Sequence, residues 1–499
     1  MGSLLSLEWK ASGPALQNQA AMKLDTRTWA LIPLAVAINV AAGSIASYFR
    51  LPLYLDSLGT ILVASLAGPL AGALTGAVSN TVIPALSNPV WLAFVPVAAV
   101  VGALAGWLAR RGFLGSPLTA AMAGLLVGVV AATLSAPVSA WLFGGTTGGG
   151  TDMVVAVFRA MGMNRLEASI AQGLVTDPLD KMLSFLMVQS ILAALPHRLR
   201  TSFPQGELLG RMRSFSLPGL RGGGIQHGER RAVALAGSPT GLYRAVDGIL
   251  HRTAPLTKIL LVVASGVAAV TLPAVVAMPD GSRLPAPALP LLATALLGLA
   301  LIGGVGLELG RTTATLILPL VLSMVAVNGL FGGAASSAWG PFRWSTPAAL
   351  DALGLGLRVF LILESVILLL LTTRPDLLMG DLERRGLPPR LAYVLLASLN
   401  LVPTMLRRAG EILEAQTSRG MPLGQGLSGR ARALVPMSGP LLLGAVSEVE
   451  ERALALEARG FGAENRRTWW SDPPRTAWDP TLQLLLIIII ILLGGRLFL

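Results

Sequence analysis

An all-α, polytopic helical membrane protein with about 11 transmembrane helices is the fold class that the sequence predicts. Of its 499 residues, 53% are hydrophobic and only 13% are charged, whereas soluble domains carry about 25% charged residues. The apolar residues lie in continuous runs, several of them about 20 residues long, which is the length that an α-helix needs to cross a bilayer. The strands of a transmembrane β-barrel would alternate instead, so a barrel is excluded.

The first half opens with a polar leader, residues 1–28, which carries Lys10, Lys23 and Arg27 and is expected in the cytosol. No small-residue cleavage site follows within the length of a signal peptide, so the first apolar run is expected to remain as a helix. A six-helix membrane domain is predicted over 29–196. Its apolar runs are 29–48, 58–70, 71–85, 91–108, 118–143 and 175–195.

Residues 197–257 are polar, basic and rich in Gly and Arg, without a periodic apolar pattern. This composition is typical of a linker. Its positive charge predicts a cytosolic location, which places both ends of the first half on the same side of the membrane.

A second membrane domain is predicted over 258–499, and its five spans would leave the C-terminus outside the cell. The apolar runs are 259–276, 287–305, 313–330, 352–371 and 481–493. A mostly polar, Arg-rich stretch separates the last two runs and is expected in the cytosol. Within it, 391–401 is apolar but too short to span, which favours a helix at the membrane surface or packed under the bundle.

Two cationic tripeptides end predicted helices in this cytosolic stretch. Ser418-Arg419-Gly420 follows a helix predicted over 404–417, and Ala458-Arg459-Gly460 follows one predicted over 440–457. An Arg in the last turn and a Gly just past the end are ordinary features of a helix C-terminus. The alternative is that the two Arg-bearing ends contact a pair of soluble partner subunits, since Arg offers five donors to carboxylate or backbone acceptors.

A series of motifs follows the order of a known family. The motifs are His251-Arg252 before Pro255-Leu256-Thr257-Lys258, Arg358 in an apolar run, Thr372-Thr373, Gly386-Leu387-Pro388, Leu401-Val402-Pro403 and the two tripeptides. With them, residues 241–499 resemble the transmembrane T component of energy-coupling factor (ECF) transporters, which are vitamin and metal-ion importers related to ABC transporters. The resemblance implies that 404–420 and 440–460 are coupling helices, whose Arg-bearing ends each lie in a groove of one ABC-type ATPase subunit. Ser418 stands where the family usually has Ala, a small-for-small change.

The chain itself lacks the Gly-x-x-x-x-Gly-Lys-Ser/Thr pattern of a P-loop, since none of its four lysines follows a Gly. We therefore expect no catalytic residue, no cofactor and no enzyme activity on this chain. The resemblance implies that ATP and Mg are used by two separate ATPase subunits, identical or different.

With no Cys and three His in or near the linker, no metal site is expected. The net charge of +12 lies in loops that flank apolar runs, so no nucleic-acid partner is expected.

The first half resembles, more loosely, the substrate-binding S component of the same transporters. That family docks on the T component through small residues of its first helix. Ala37, Ala41 and Ala46 have the character of such a docking face. The alternative is that these alanines contact a neighbouring helix of their own bundle.

Polar residues at membrane depth are candidates for substrate binding. The candidates in the first half are Asp56, Asn80, Asp177, Asp180 and Lys181. Two alternatives remain open: Asp56 caps the helix that follows, and Asp177 or Asp180 pairs with Lys181. Trp91 and Trp141 are interpreted as anchors at the membrane interface. In the second half, the buried-charge candidates are Glu308, Arg358 and Glu364.

Together, these patterns predict the membrane subunit of an ATP-driven ECF-type importer in the inner membrane of a bacterial or archaeal cell. The chain would fuse capture of a vitamin or other small micronutrient to the scaffold that couples two ATPase subunits to transport, in contact with membrane lipid. The alternative is an ATP-independent secondary carrier, which would show inverted repeats with matching Gly/Pro breaks.

Overall fold

The structure is a computed structural model that describes residues 24–49, 53–86, 89–147, 151–206, 243, 244, 246, 248–277, 283–332, 337–339, 342–419, 427–463 and 472–495. Most of these residues are helical, which confirms the predicted all-α class. Regular β structure in these ranges is limited to two antiparallel hairpins with strands of three residues.

The first half contains six longer helices and two short ones within the described residues. They are α1 (Thr26–Tyr48), α2 (Leu58–Ala67), α3 (Pro69–Leu86), α4 (Val95–Arg110, preceded by a 3-10 turn over Pro89–Phe94), α5 (Pro117–Leu142), α6 (Asp152–Ala160), α7 (Arg165–Ala194) and α8 (His197–Thr201). Helix α7 begins ten residues before its predicted apolar run. Its start is fixed by a capping box in which the Asn164 side chain accepts from the Glu167 amide and Glu167 accepts from the Asn164 amide.

Helix α1 is buried along most of its length and packs against α2 and α3 within the first half. Its N-cap residue is Asp25, whose side chain accepts a hydrogen bond from the backbone amide of Thr28 at 2.9 Å. Helices α3 and α4 approach each other closely, because Gly72 faces Gly102: a Cβ on Gly102 would lie 2.1 Å from the Gly72 carbonyl oxygen. Small residues thus set the spacing of these membrane helices.

The second half begins with the short helix α9 (Ile249–Arg252) and contains nine more helices in its described residues. They are α10 (Pro255–Thr271), α11 (Ala288–Ile302), α12 (Gly306–Thr312), α13 (Leu318–Phe331), α14 (Thr346–Thr372), α15 (Pro375–Arg384), α16 (Pro389–Ser418), α17 (Leu427–Ala458) and α18 (Asp479–Gly495). A π-helical turn over Thr313–Ile317 joins α12 to α13. Hairpin β1–β2 (Val275–Ala277, Arg283–Pro285) connects α10 to α11, and hairpin β3–β4 (Ser337–Trp339, Phe342–Trp344) connects α13 to α14.

Six helices in the described residues are long and apolar enough to cross a membrane: Thr26–Tyr48, Pro89–Arg110, Pro117–Leu142, Gly306–Phe331, Thr346–Thr372 and Pro389–Ser418. Other apolar helices are shorter. Helix α2, with ten residues, extends about 15 Å, which is half the thickness of the hydrocarbon core. The chain is thus a multi-pass membrane protein, whereas the count of about 11 spans stays a prediction.

Two helix boundaries in the second half differ from the sequence-based expectation. The apolar run 391–401, expected as a separate short helix, is the first part of the continuous 30-residue helix α16, which ends at Ser418. Helix α17 begins at Leu427, well before the expected residue 440. Pro389 occupies the first turn of α16, where its missing N–H costs no hydrogen bond, so the helix starts there rather than near 404.

The two halves meet along α1. This helix packs against both α16 and α17, and one continuous apolar core joins the three helices. In a second place, Asn328 of α13 donates to the Gly144 carbonyl (3.2 Å), and Ser323 donates to Asp152 of α6 (3.1 Å). The first half therefore contacts the second at two separate places.

Candidate functional site

The Arg-bearing end of α16 is exposed. Ser418 is the last helical residue and Arg419 caps the helix, its backbone amide donating to the Gln416 carbonyl at 3.2 Å. Both side chains face solvent. Gly420, the third member of the predicted motif, lies outside the described residues.

The end of α17 is a Schellman C-cap. Gly460 has φ +74, its amide donates to the Glu457 carbonyl, and the Phe461 amide donates to the Leu456 carbonyl, both at 2.9 Å. Gly460 therefore acts as a C-cap residue, as the simpler interpretation expected. Ala458 and Arg459 are exposed, and the Arg459 guanidinium makes no hydrogen bond or ion pair with any described residue. The cap places Arg459 at the surface and leaves its donors available.

A carboxylate links the two Arg-ended helices. Glu448 of α17 accepts from Arg408 of α16 at 2.8 Å and from Arg452 of its own helix at 3.0 Å. Burial raises the pKa of the Glu448 carboxyl, but the hydrogen bonds and charges of Arg452 and Arg408 lower it more, so its pKa lies below the ordinary value. The rings of Tyr393 and Phe461, 5.1 Å apart, add a second contact between α16 and the end of α17.

The three predicted docking alanines are all fully buried, at 0% exposure. Asn39 marks the face of α1 that looks into its own bundle, since it donates to Thr60 (2.8 Å) and Ser79 (2.9 Å). Ala37 and Ala41 lie two residues to either side of Asn39, about 200° around the helix, and thus on the opposite face. Ala46, seven residues after Asn39, shares the bundle-facing side.

A cavity of about 170 Å³ lies inside the first half. Four of the five predicted substrate-binding residues line it: Asp56, Asn80, Asp177 and Lys181. Asp180, the fifth, is not among the lining residues. The sequence pattern thus selected residues that share one cavity, although it could not separate residues that face the cavity from those that face away, and their role in substrate binding stays a prediction.

Lys181 is fixed by three oxygen atoms. Its ammonium group donates to Asp180 at 2.7 Å, to the Ser57 hydroxyl at 2.9 Å and to Asp56 at 3.0 Å. Asp56 is therefore a partner of Lys181, and it does not cap the next helix, whose cap residue is Ser57.

The contacts of Asp180 lie within the protein, and its direct substrate role stays a prediction. The Asp180 carboxylate, at 0% exposure, accepts from the backbone amides of Tyr54 (3.0 Å) and Leu55 (2.8 Å) in addition to Lys181. These two hydrogen bonds fix the backbone of the segment before α2, where Leu55 has a positive φ of 50. Asp180 thus positions Lys181 and the cavity wall.

Aromatic residues that the sequence analysis did not select as binding residues complete the cavity wall. The ring of Trp91 meets Tyr54 edge-on at 5.9 Å and Phe94 at 6.1 Å, and all three residues line the cavity together with Gln172. Trp91 is half-buried and lines the cavity, whereas Trp141 is 69% exposed, as an anchor would be, and both anchor interpretations stay predictions. The available signal was the pair of aromatic residues Trp91 and Phe94 in a short segment between two prolines.

The three buried-charge candidates of the second half have different surroundings. Glu308 is half-buried, and its carboxylate lies 3.7 Å from the Arg244 guanidinium. Arg358 donates to the Leu272 carbonyl at 3.4 Å. Glu364 is 2% exposed, and one of its carboxylate oxygens is buried without a hydrogen-bond partner among the described residues.

Residues 254–258, the motif at the start of α10, form hydrogen bonds with the end of α14 and the start of α18. Lys258 donates to the carbonyl of Thr372, at the end of α14, at 2.9 Å, where a cation also offsets the helix dipole. Thr257 and the Ala254 amide donate to Asp479, the first residue of α18, at 2.6 and 3.0 Å. The motif residues thus hold α14 and α18 against α10.

Comparison with known proteins agrees with this architecture. A family model described as "Cobalt transport protein" (CbiQ) matches residues 248–469. The energy-coupling factor transporter transmembrane protein EcfT of Exiguobacterium sibiricum is 31% identical over 188 residues, which are 36% of this chain and 72% of the relative. The chain belongs to the EcfT family. The EcfT protein of Thermosediminibacter oceani is 28% identical over 237 residues, 45% of this chain and 85% of the relative.

The EcfT match confirms the T-component resemblance of the second half, where the family model aligns. The chain spans about half the length of other EcfT relatives, such as that of Brevibacillus brevis, which is 34% identical over 28% of this chain and 55% of the relative. The likeness of the first half to an S component stays a prediction.

Proposed function

We propose that this EcfT-family chain is the membrane subunit of an ATP-driven ECF-type importer in the inner membrane of a bacterium or archaeon. Its second half would couple two ABC-type ATPase subunits to transport, and its first half would capture the substrate. The observation that carries this proposal is the packing of α1, from the bundle with the cavity, along both α16 and α17, whose ends carry exposed arginines.

The contacts provide a mechanical route from the ATPases to the cavity. ATP-driven closure of the ATPase pair would move Arg419 and Arg459 relative to each other, and each end is continuous with a helix of about 30 residues. Apolar side chains of these helices share one core with α1. Such a contact can tilt or slide without breaking polar bonds, since dispersion and apolar burial are not directional. A displacement of α16 against α17 would then reorient α1 and its bundle.

The cavity favours a ring-sized, polar substrate with an amino or cationic group. Its volume of about 170 Å³ is close to the roughly 150 Å³ that admits a single benzene ring. Tyr54, Trp91 and Phe94 offer ring surfaces, which bind cations through their faces. Asp177 accepts a hydrogen bond from Thr176 (3.2 Å) but forms no salt bridge with a described residue, so a donor on the substrate would complete its contacts.

Charge reversal at the two helix ends tests the coupling role. The double variant Arg419→Glu, Arg459→Glu should lose both ATPase co-purification and uptake, because reversing a charge at a buried contact costs several kcal/mol in assembly. Retention of the substrate by the full-length chain should be unchanged, since both ends lie outside the cavity. Arg407→Glu, an exposed arginine within α16, is the matched control and should leave assembly intact.

Two results would overturn the proposal. Normal uptake by the double variant would show that both arginines serve only as helix caps. Gradient-driven uptake by the purified chain without any ATPase would instead indicate a secondary carrier. Mass spectrometry of the compound that co-purifies with the full chain identifies the substrate and checks its proposed ring size and charge.

A further inference from the structure

A second cavity, of about 820 Å³, lies between the two halves of the molecule. Its wall includes the end of α5, the segment between α6 and α7, the start of β1 and one face of α14. In the membrane topology predicted from the sequence, α5 and α10 both run from the cytosolic to the outer side, and the cavity lies at or just after their C-terminal ends. This predicted topology puts the cavity at the outer side of the membrane.

Three arginines line this cavity. Arg159 and Arg165 belong to the first half and Arg358 to the second, and Asp351 is the only carboxylate in the described lining. The formal charge of these four side chains is +3 − 1 = +2. Arg165 is also the first residue of α7, where the positive end of the helix dipole adds to the potential.

The guanidinium groups have donors to spare. Arg159 is only 8% exposed, and although one of its terminal nitrogens donates to the Met163 carbonyl at 2.8 Å, its Nε is buried without an acceptor in the described part of the chain. The Nε of Arg358 is in the same situation. Burial lowers the pKa of Arg159 from its ordinary value, and the charge of Arg165 lowers it further. Buried donors without acceptors are costly, and buried like charges repel, so this arrangement calls for an anion.

We propose that the cavity binds the phosphate group of an anionic phospholipid from the outer leaflet. Phosphate supplies several acceptor oxygens and pairs well with the planar fork of Arg. The cavity lies between two membrane-embedded bundles and is bordered by Trp141, which is 69% exposed, as is typical of side chains at the headgroup level. Free phosphate shares the headgroup chemistry but lacks the acyl chains that the membrane position favours.

Such a lipid would bridge the two halves. Arg159 and Arg165 reach it from the first half and Arg358 from the second, so the complete site exists only while the halves are in contact. Binding would stabilise the docked arrangement by RT ln(1 + c/Kd), where c is the lipid concentration, and this stabilisation increases with the logarithm of c once the site is nearly saturated. This role is independent of the substrate and of the ATPase partners.

Native mass spectrometry of the full-length chain in detergent tests the site. With phosphatidylglycerol as the probe, the wild-type chain should retain lipid, and Arg159→Gln or Arg358→Gln should each weaken retention about tenfold, since one charge-assisted hydrogen bond contributes at least that factor. Arg311→Gln, an exposed arginine elsewhere in the second half, should leave retention unchanged.

Thermal unfolding of the wild-type chain gives a second measurement, which does not depend on how well the variants fold. Phosphatidylglycerol should raise the melting temperature, whereas inorganic phosphate at equal concentration should not. Equal stabilisation by inorganic phosphate would overturn the lipid as the source of the anion. Failure of both probes to bind, or equal retention of lipid by all variants, would overturn the site itself.

Discussion

Removal of the buried charge of Lys181 should destabilise the first half strongly. Lys181→Met keeps the length of the side chain but leaves Asp180 without its cation, and the Asp180 side chain is only 1% exposed. Loss of one partner of a buried ion pair costs about 3–5 kcal/mol. For a domain of this size, each kcal/mol lowers the melting temperature by about 2–4 °C, so we expect a decrease of roughly 6–20 °C.

A double-mutant cycle separates the ion pair from side-chain packing. Asp180→Asn in the Lys181→Met background removes the stranded charge while keeping an acceptor for the amides of Tyr54 and Leu55. The double variant should therefore be more stable than Lys181→Met alone, with a coupling energy of about 1–3 kcal/mol. The assay is thermal unfolding of the full chain in detergent, followed by tryptophan fluorescence. Additive effects, or a loss below about 1 kcal/mol for Lys181→Met, would refute the assigned role of this cluster.

Two further predictions concern carboxylates. Asp177→Asn should weaken retention of the co-purifying substrate about tenfold, because a charge-assisted hydrogen bond is lost at the cavity wall. The melting temperature should not decrease. Unchanged retention in equilibrium dialysis would show that Asp177 does not belong to the binding site. For Glu448, the pKa lies below the ordinary value of 4.5, so its contribution is fully present above about pH 4.5 and is lost as the pH falls through the lowered pKa. The difference in melting temperature between wild type and Glu448→Gln should accordingly be constant near neutral pH and disappear in acid. A difference that persists in acid would contradict the assigned contacts with Arg408.

The sequence alone determined the class of the protein and the position of its cationic helix ends. Long apolar runs can be satisfied only by helices in a bilayer, and an Arg-Gly pair after a periodic segment is a local signal of a helix end. Gly460 shows this directly, since its positive φ is the conformation that only Gly adopts without strain. The family motifs were equally local: Thr257 and Lys258 follow a Pro at the first turn of α10.

Only the tertiary structure decided which polar residues face the cavity. Asp177 and Asp180 lie three residues apart on α7, about 60° around the helix, so their spacing could not separate the residue that lines the cavity from the residue that holds Lys181. Tyr54 and Trp91 come from segments far apart in the sequence, and their meeting depends on how α1, α3 and α4 pack. The contact of α1 with α16 and α17 joins residues more than 340 positions apart. Apolar surfaces of membrane helices have no intrinsic partner, because lipid tails are as apolar as the side chains themselves, so shape complementarity in the folded chain selects which helices pack together.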